Sequence, residues 1–120
     1  MVEIIAIAVG GAIGTCLRYL TYTLTKSSLS GALIVNLVGC IFAGFFWELS
    51  KIQNLSSNKR LLIFVGLIGA FTTFSALIID FFNLIQENKI FYAVINLLLN
   101  NILGILIFFV GISAAKFFLK

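Results

Sequence analysis

Apolar residues run almost unbroken through four stretches of the chain, about residues 2–25, 30–49, 61–86 and 90–118. Each reaches or exceeds the roughly 20 residues a helix needs to cross about 30 Å of hydrocarbon. An open sheet edge cannot face lipid, so all four are predicted as transmembrane helices. Polar residues collect between them, most densely from Ser50 to Arg60. The pattern predicts an all-α membrane protein, a single four-helix domain over residues 1–120 with short loops and no appended soluble domain.

Composition sharpens this picture. The chain is 62% hydrophobic and 10% charged, where soluble domains run at about 45–50% and about 25%. A soluble fold of 120 residues could not hide that much apolar surface. Histidine is absent, which removes the commonest general base and proton shuttle. Cys16 and Cys40 fall in apolar runs without metal-ligand spacing and read as small packing residues. The net charge of +4 is spread thinly and does not suggest nucleic acid.

The first apolar stretch lacks a basic leader and a small-residue cleavage site, so it reads as a retained span. Four spans put Lys51, Lys59, Arg60, Lys116 and Lys120 on one side, against Lys26, Lys89 and Arg18 on the other. That is a weak positive-inside bias. It fits either a cytoplasmic N-terminus or insertion both ways up with antiparallel pairing. Four helices are too few to surround a roomy pathway, so oligomerisation is expected.

Polar atoms inside membrane spans are costly and are the natural site candidates. Gly10, Gly14 and Arg18 share one helical face, and the two glycines permit close helix approach. Arg18 keeps its charge. It can snorkel to the interface, attract an anion or pair with a carboxylate. Asn36 lies inside the second apolar run on one face with Cys40 and Gly44, and can bond a neighbouring helix or offer an N–H to an anion.

The third stretch holds Gly66 and Gly69 ahead of Ala70-Phe71-Thr72-Thr73-Phe74-Ser75. Glycine weakens a helix and hydroxyls compete for its backbone bonds, so a break is predicted near the middle of this helix. Freed carbonyls there suit a small hard cation, and the next helix N-terminus suits an anion. The competing reading is a continuous helix whose hydroxyls bond back. Asp80, about two turns later, can reach the interface or pair with a cation such as Arg18. Asn96, Asn100 and Gly104 share a face of the fourth stretch beside Asn101, forming either helix-to-helix bonds or an aqueous ion path. Phe74 sits beside the suspected break, where its positive ring edge can face an anion. No nucleophile–base pair, metal cluster or phosphate loop supports an enzyme. The pieces suit a conduit in which fixed dipoles replace hydration water.

Gly10-Gly11-Ala12-Ile13-Gly14-Thr15-Cys16-Leu17-Arg18-Tyr19 resembles the first-helix signature of the Fluc (CrcB) fluoride channels. Gly31-Ala32-Leu33-Ile34-Val35-Asn36-Leu37-Val38-Gly39 resembles their second-helix motif, and Gly69-Ala70-Phe71-Thr72-Thr73-Phe74-Ser75 their third-helix break, with Asp80 at a usually acidic position. The resemblance implies passive fluoride export across a bacterial inner membrane by an antiparallel, dual-topology dimer with two pores. It further implies a structural sodium ion at the dimer centre, held by the backbone carbonyls of Gly69 and Thr72. Asn36, Phe74 and Ser75 would line the pore, and Arg18 would sit at the vestibule end.

Two departures stand out. Leu77 occupies the position of a second pore phenylalanine, and Asn96 and Asn100 stand where the family's fourth-helix track shows tyrosine and serine. Either the amides compensate in a homodimer, or the chain pairs with a complementary family subunit. A small dual-topology drug/proton antiporter is the rival class. It needs a mid-span carboxylate, whereas Glu3 and Glu48 lie near span ends and Asp80 lies late in its stretch.

Overall fold

The computed structural model describes residues 1–25 and 28–119, and the side chains of 31–119 within the second part. Lys26 and Lys120, two of the charges weighed for sidedness, lie outside the described residues. Those residues form helices and short turns with no strand among them. Helix α1 is Val2–Thr25 and α2 is Ser28–Ile52. The third span, Ser57–Gln86, comprises α3 over residues 57–71 and α4, Phe74–Gln86. Helix α5 is Ile90–Leu119. All four spans are long and apolar enough to cross a membrane.

The polar stretch from Ser50 to Arg60 is more helical than expected: α2 runs on to Ile52 and α3 starts at Ser57. Polar residues can stay helical where their side chains find local partners. Ser50 Oγ donates to the Trp47 carbonyl at 2.7 Å, and the Lys51 ammonium lies 5.1 Å from the centre of the Trp47 ring.

Helices α2 and α4 end alike. Asn54 and Asn88 take left-handed φ values of 46° and 57°. The following amides close back on the helices, Leu55 N to Ser50 O at 3.1 Å and Lys89 N to Leu84 O at 2.8 Å. Asparagine tolerates this conformation better than other residues with a Cβ. The second turn is short enough to make α4 and α5 an antiparallel hairpin. The sole ion pair among the described residues, Lys89 to Glu87 at 2.7 Å, lies in it.

Two glycine seams hold the helices together. On α1, a Cβ at Gly10 or Gly14 would collide with the main-chain carbonyls of Leu62 and Leu67 in α3. On α2, Gly44 meets the Phe108 carbonyl of α5, and Gly111 of α5 meets the Ile41 carbonyl in return. Inside a bilayer no hydrophobic force drives helices together, so this close van der Waals approach carries the association. The outer faces carry exposed Ile, Leu, Val and Phe. Wide turns with i→i+5 winding occupy Leu61–Ile68 in α3 and Leu99–Leu103 in α5.

Candidate functional site

Between Phe71 and Phe74 the backbone is extended, with Thr72 at φ −76°, ψ 158° and Thr73 at φ −151°, ψ 117°. Both are ordinary β-region angles and need no glycine. Asn36 of α2 stabilises this conformation. Its Oδ1 accepts from the Thr73 N–H at 2.8 Å and its Nδ2 donates to the Thr73 carbonyl at 3.0 Å. The side-chain amide thus pairs with the Thr73 main chain as a neighbouring strand would. Thr73 Oγ1 in turn accepts from the Ala76 N–H at 3.2 Å, capping α4, and lies 3.3 Å from Ser75 Oγ. Thr73→Ala is expected to cost about 1 kcal/mol of stability. It should appear as a lower melting midpoint of the purified protein.

These bonds have a consequence for the carbonyls. In a continuous helix the Thr73 N–H would serve the Gly69 carbonyl and the Ala76 N–H the Thr72 carbonyl. Asn36 takes the first donor and Thr73 Oγ1 takes the second. The Thr72 carbonyl keeps only a long contact from Arg18 Nη1, at 3.4 Å.

A line of amides continues from Asn36 into α5. Asn36 Nδ2 donates to Asn100 Oδ1 at 2.8 Å. Asn100 Nδ2 donates to both the carbonyl and Oδ1 of Asn96, at 3.0 and 3.1 Å. Both Asn36 amide hydrogens are therefore engaged within the protein. Asn96 is 4% exposed and its Nδ2 has no partner. A cavity of about 240 Å³ opens beside this line, walled in part by Asn36, Thr73, Phe74, Leu77 and Asn100.

The other expected residues divide between core and surface. Leu77 is buried at 2% exposure yet reaches the cavity wall, and Phe74 is 69% exposed. Gly69 and Ser75 are exposed as well. Asp80 is 8% exposed, makes no ion pair with Arg18, and leaves Oδ2 without a partner. Of the options open to Arg18, the described contact is with a carbonyl. Sequence reasoning named Thr73 only in passing, yet its main chain anchors the amide line. Nothing in the sequence pairs residue 36 with residue 73. Cys40, read as a packing residue, and Asn101, named only as a neighbour of the amides, also lie on the cavity wall, and the buried, unpartnered Tyr22 hydroxyl was missed.

Residues 5–112 match the family described as CrcB-like protein, Camphor Resistance (CrcB). A relative from Parabacteroides distasonis is 36% identical, over 97% of this chain and 94% of its own length. One from Salinibacter ruber is 34% identical, over 99% and 93%. One from Desulforapulum autotrophicum is 39% identical, over 85% and 86%. All three carry the name fluoride-specific ion channel FluC. With a family match across most of its length and relatives similar almost end to end, this multi-pass membrane protein belongs to the CrcB-like family.

Proposed function

We propose that the chain is a fluoride-selective ion channel, not an enzyme, and that it lowers cytoplasmic fluoride by passive export across a bacterial inner membrane. The observation that carries this reading is near full-length similarity to relatives named as fluoride-specific channels. The amide line beside a partly polar cavity is consistent with it. Fluoride is small and strongly hydrated, so a selective path must be narrow and must replace water with N–H donors and ring edges. Neutral amides offer such donors without the trapping effect of a fixed positive charge.

The pore is assigned to Asn36, Phe74, Ser75, Asn96 and Asn100, with Arg18 at the vestibule. Thr73, Leu77 and Asp80 stand outside this set as further candidates. Two chains inserted in opposite orientations form the working dimer, and the exposure of Phe74 and Ser75 supports a partner over this face. A sodium ion at the dimer centre would be held by the carbonyls of Gly69 and Thr72. Both have lost their helical donors to Asn36 and Thr73, which fits the needs of a hard cation. Arg18 shares the Thr72 carbonyl only weakly and would have to release it. Bound there, the ion would supply charge that ties two third spans together.

Leu77 favours a second reading, in which the chain is one subunit of a heterodimer whose partner supplies the missing ring. An antiporter is disfavoured by the named relatives. The experiment is fluoride efflux from liposomes holding only this purified chain, with chloride as control. Efflux of fluoride and not chloride is expected. Silence rescued by a second family chain establishes the heterodimer, and silence in both settings overturns the channel reading.

A further inference from the structure

We propose that Asn36, Asn100 and Asn96 form a one-way hydrogen-bonded relay whose last member, Asn96, presents the N–H that contacts the permeating anion. Asn36 and Asn100 are then positioning residues. The inference rests on the fluoride reading above and divides its pore residues by role.

The direction of the relay follows from the main chain at its start. A side-chain amide can usually be turned over without a visible change, so its orientation must come from its partners. Asn36 faces the N–H and the C=O of Thr73, which cannot exchange roles, so Oδ1 must meet the first and Nδ2 the second. The second hydrogen of Nδ2 reaches Asn100, which must therefore present Oδ1. That turns Asn100 Nδ2 toward Asn96. There the Asn96 main-chain carbonyl, another fixed acceptor, requires the same orientation independently. Asn96 must then offer Oδ1 to Asn100, which leaves its own Nδ2 pointing away from the line. Turning over any one of the amides would set donor against donor or acceptor against acceptor.

Each link polarises the next, so the free end of such a chain is a better donor than an isolated amide. That end is buried and has no protein partner. A buried N–H without a partner calls for a ligand or a water, and the ligand it suits is a small, strongly accepting anion. Asp80 stands in α4 eight residues before Asn88, as Asn96 stands eight after it, and is buried as well. Its free Oδ2 is not within hydrogen-bond reach of Asn96.

The test uses the full purified chain with nitrogen-15 in its asparagine side chains, each amide signal assigned through a single variant. Titration with fluoride is expected to move the Asn96 Nδ2 signal more than those of Asn36 and Asn100, and chloride to move none. Asn100→Asp still accepts from Asn36, but draws the Asn96 N–H inward and should abolish the fluoride shift. Asn96→Asp is expected to slow fluoride efflux by about tenfold to a hundredfold, the worth of one hydrogen bond to a charged group. Asn96→Ser, which keeps a donor, should recover part of that loss. Fluoride-dependent movement confined to Asn36 or Asn100 overturns the relay. So does unchanged efflux in Asn96→Asp, or an Asn96 signal that responds only to Asp80→Asn. A wild-type chain that passes no fluoride either alone or with a second family chain, with every amide signal still in both settings, overturns the fluoride reading itself. Conduction with a silent Asn96 overturns the relay alone.

Discussion

Asn36→Asp is expected to abolish fluoride efflux, with a loss of at least about a hundredfold. The carboxylate could still accept the Thr73 N–H, but the two hydrogens now given to the Thr73 carbonyl and to Asn100 Oδ1 would be gone. Both acceptors would then face a negative oxygen in place of a donor. Each buried group left unsatisfied costs about 1–3 kcal/mol. Two such losses correspond to about thirtyfold or more in any equilibrium or rate that depends on the arrangement. Negative charge on the anion's path adds to the effect. The extended conformation at Thr72 and Thr73 depends on the same side chain, so the variant should also melt at a lower temperature. Liposome efflux read beside a thermal melt checks both, and efflux at the wild-type rate would refute the role given to Asn36.

Gly44→Val is expected to destroy the assembled fold. An added Cβ there would meet the main-chain carbonyl of Phe108, and backbone in the middle of a membrane helix cannot yield as a flexible side chain can. Its counterpart, Gly111 against the Ile41 carbonyl, lies on the same interface, so one bulky group forces α2 and α5 apart along the whole seam. Asn36 and Asn100 lie on these two helices, and the bond between them would be lost with the seam. Aggregation during size-exclusion chromatography in detergent is the expected result. Gly11→Ala is the control, because a Cβ at Gly11 meets nothing within 4 Å. A monodisperse, conducting Gly44→Val protein would refute the seam.

The four spans were legible because membrane helices leave a strong, local trace: long apolar runs with little charge. The ends were less legible. Residues 50–52 and 57–60 look like loop by polarity yet are helical in the structure, and in the first of these Ser50 and Lys51 find partners on Trp47. Candidate pore residues were visible as polar side chains where lipid tolerates few. Their division of labour was not. Asn36 reads from sequence as an amide free to meet a ligand, but its hydrogens are committed to residues 37 and 64 positions away. Asp80 and Arg18 read as possible partners by charge, and the fold directs Arg18 to a carbonyl instead. Contacts across such separations depend on how helices are rotated about their axes, which no local pattern encodes.

The wide turn at Leu99–Leu103 bears on that rotation. It holds Asn100, which bonds Asn36 of α2, and leads directly into the stretch whose glycines, Gly104 and Gly111, also pack on α2. A wide turn absorbs one extra residue, and removing a residue from a helix swings everything beyond it by about 100°. The turn therefore acts as a phase adjuster that lets a polar segment and a small-residue segment address the same neighbour. A chain one residue shorter at this point would have to surrender one of the two, keeping its seam and losing its amides or the reverse. Length here is as constrained as chemistry, although none of the residues Leu99, Ile102 or Leu103 carries a group that would mark them as functional.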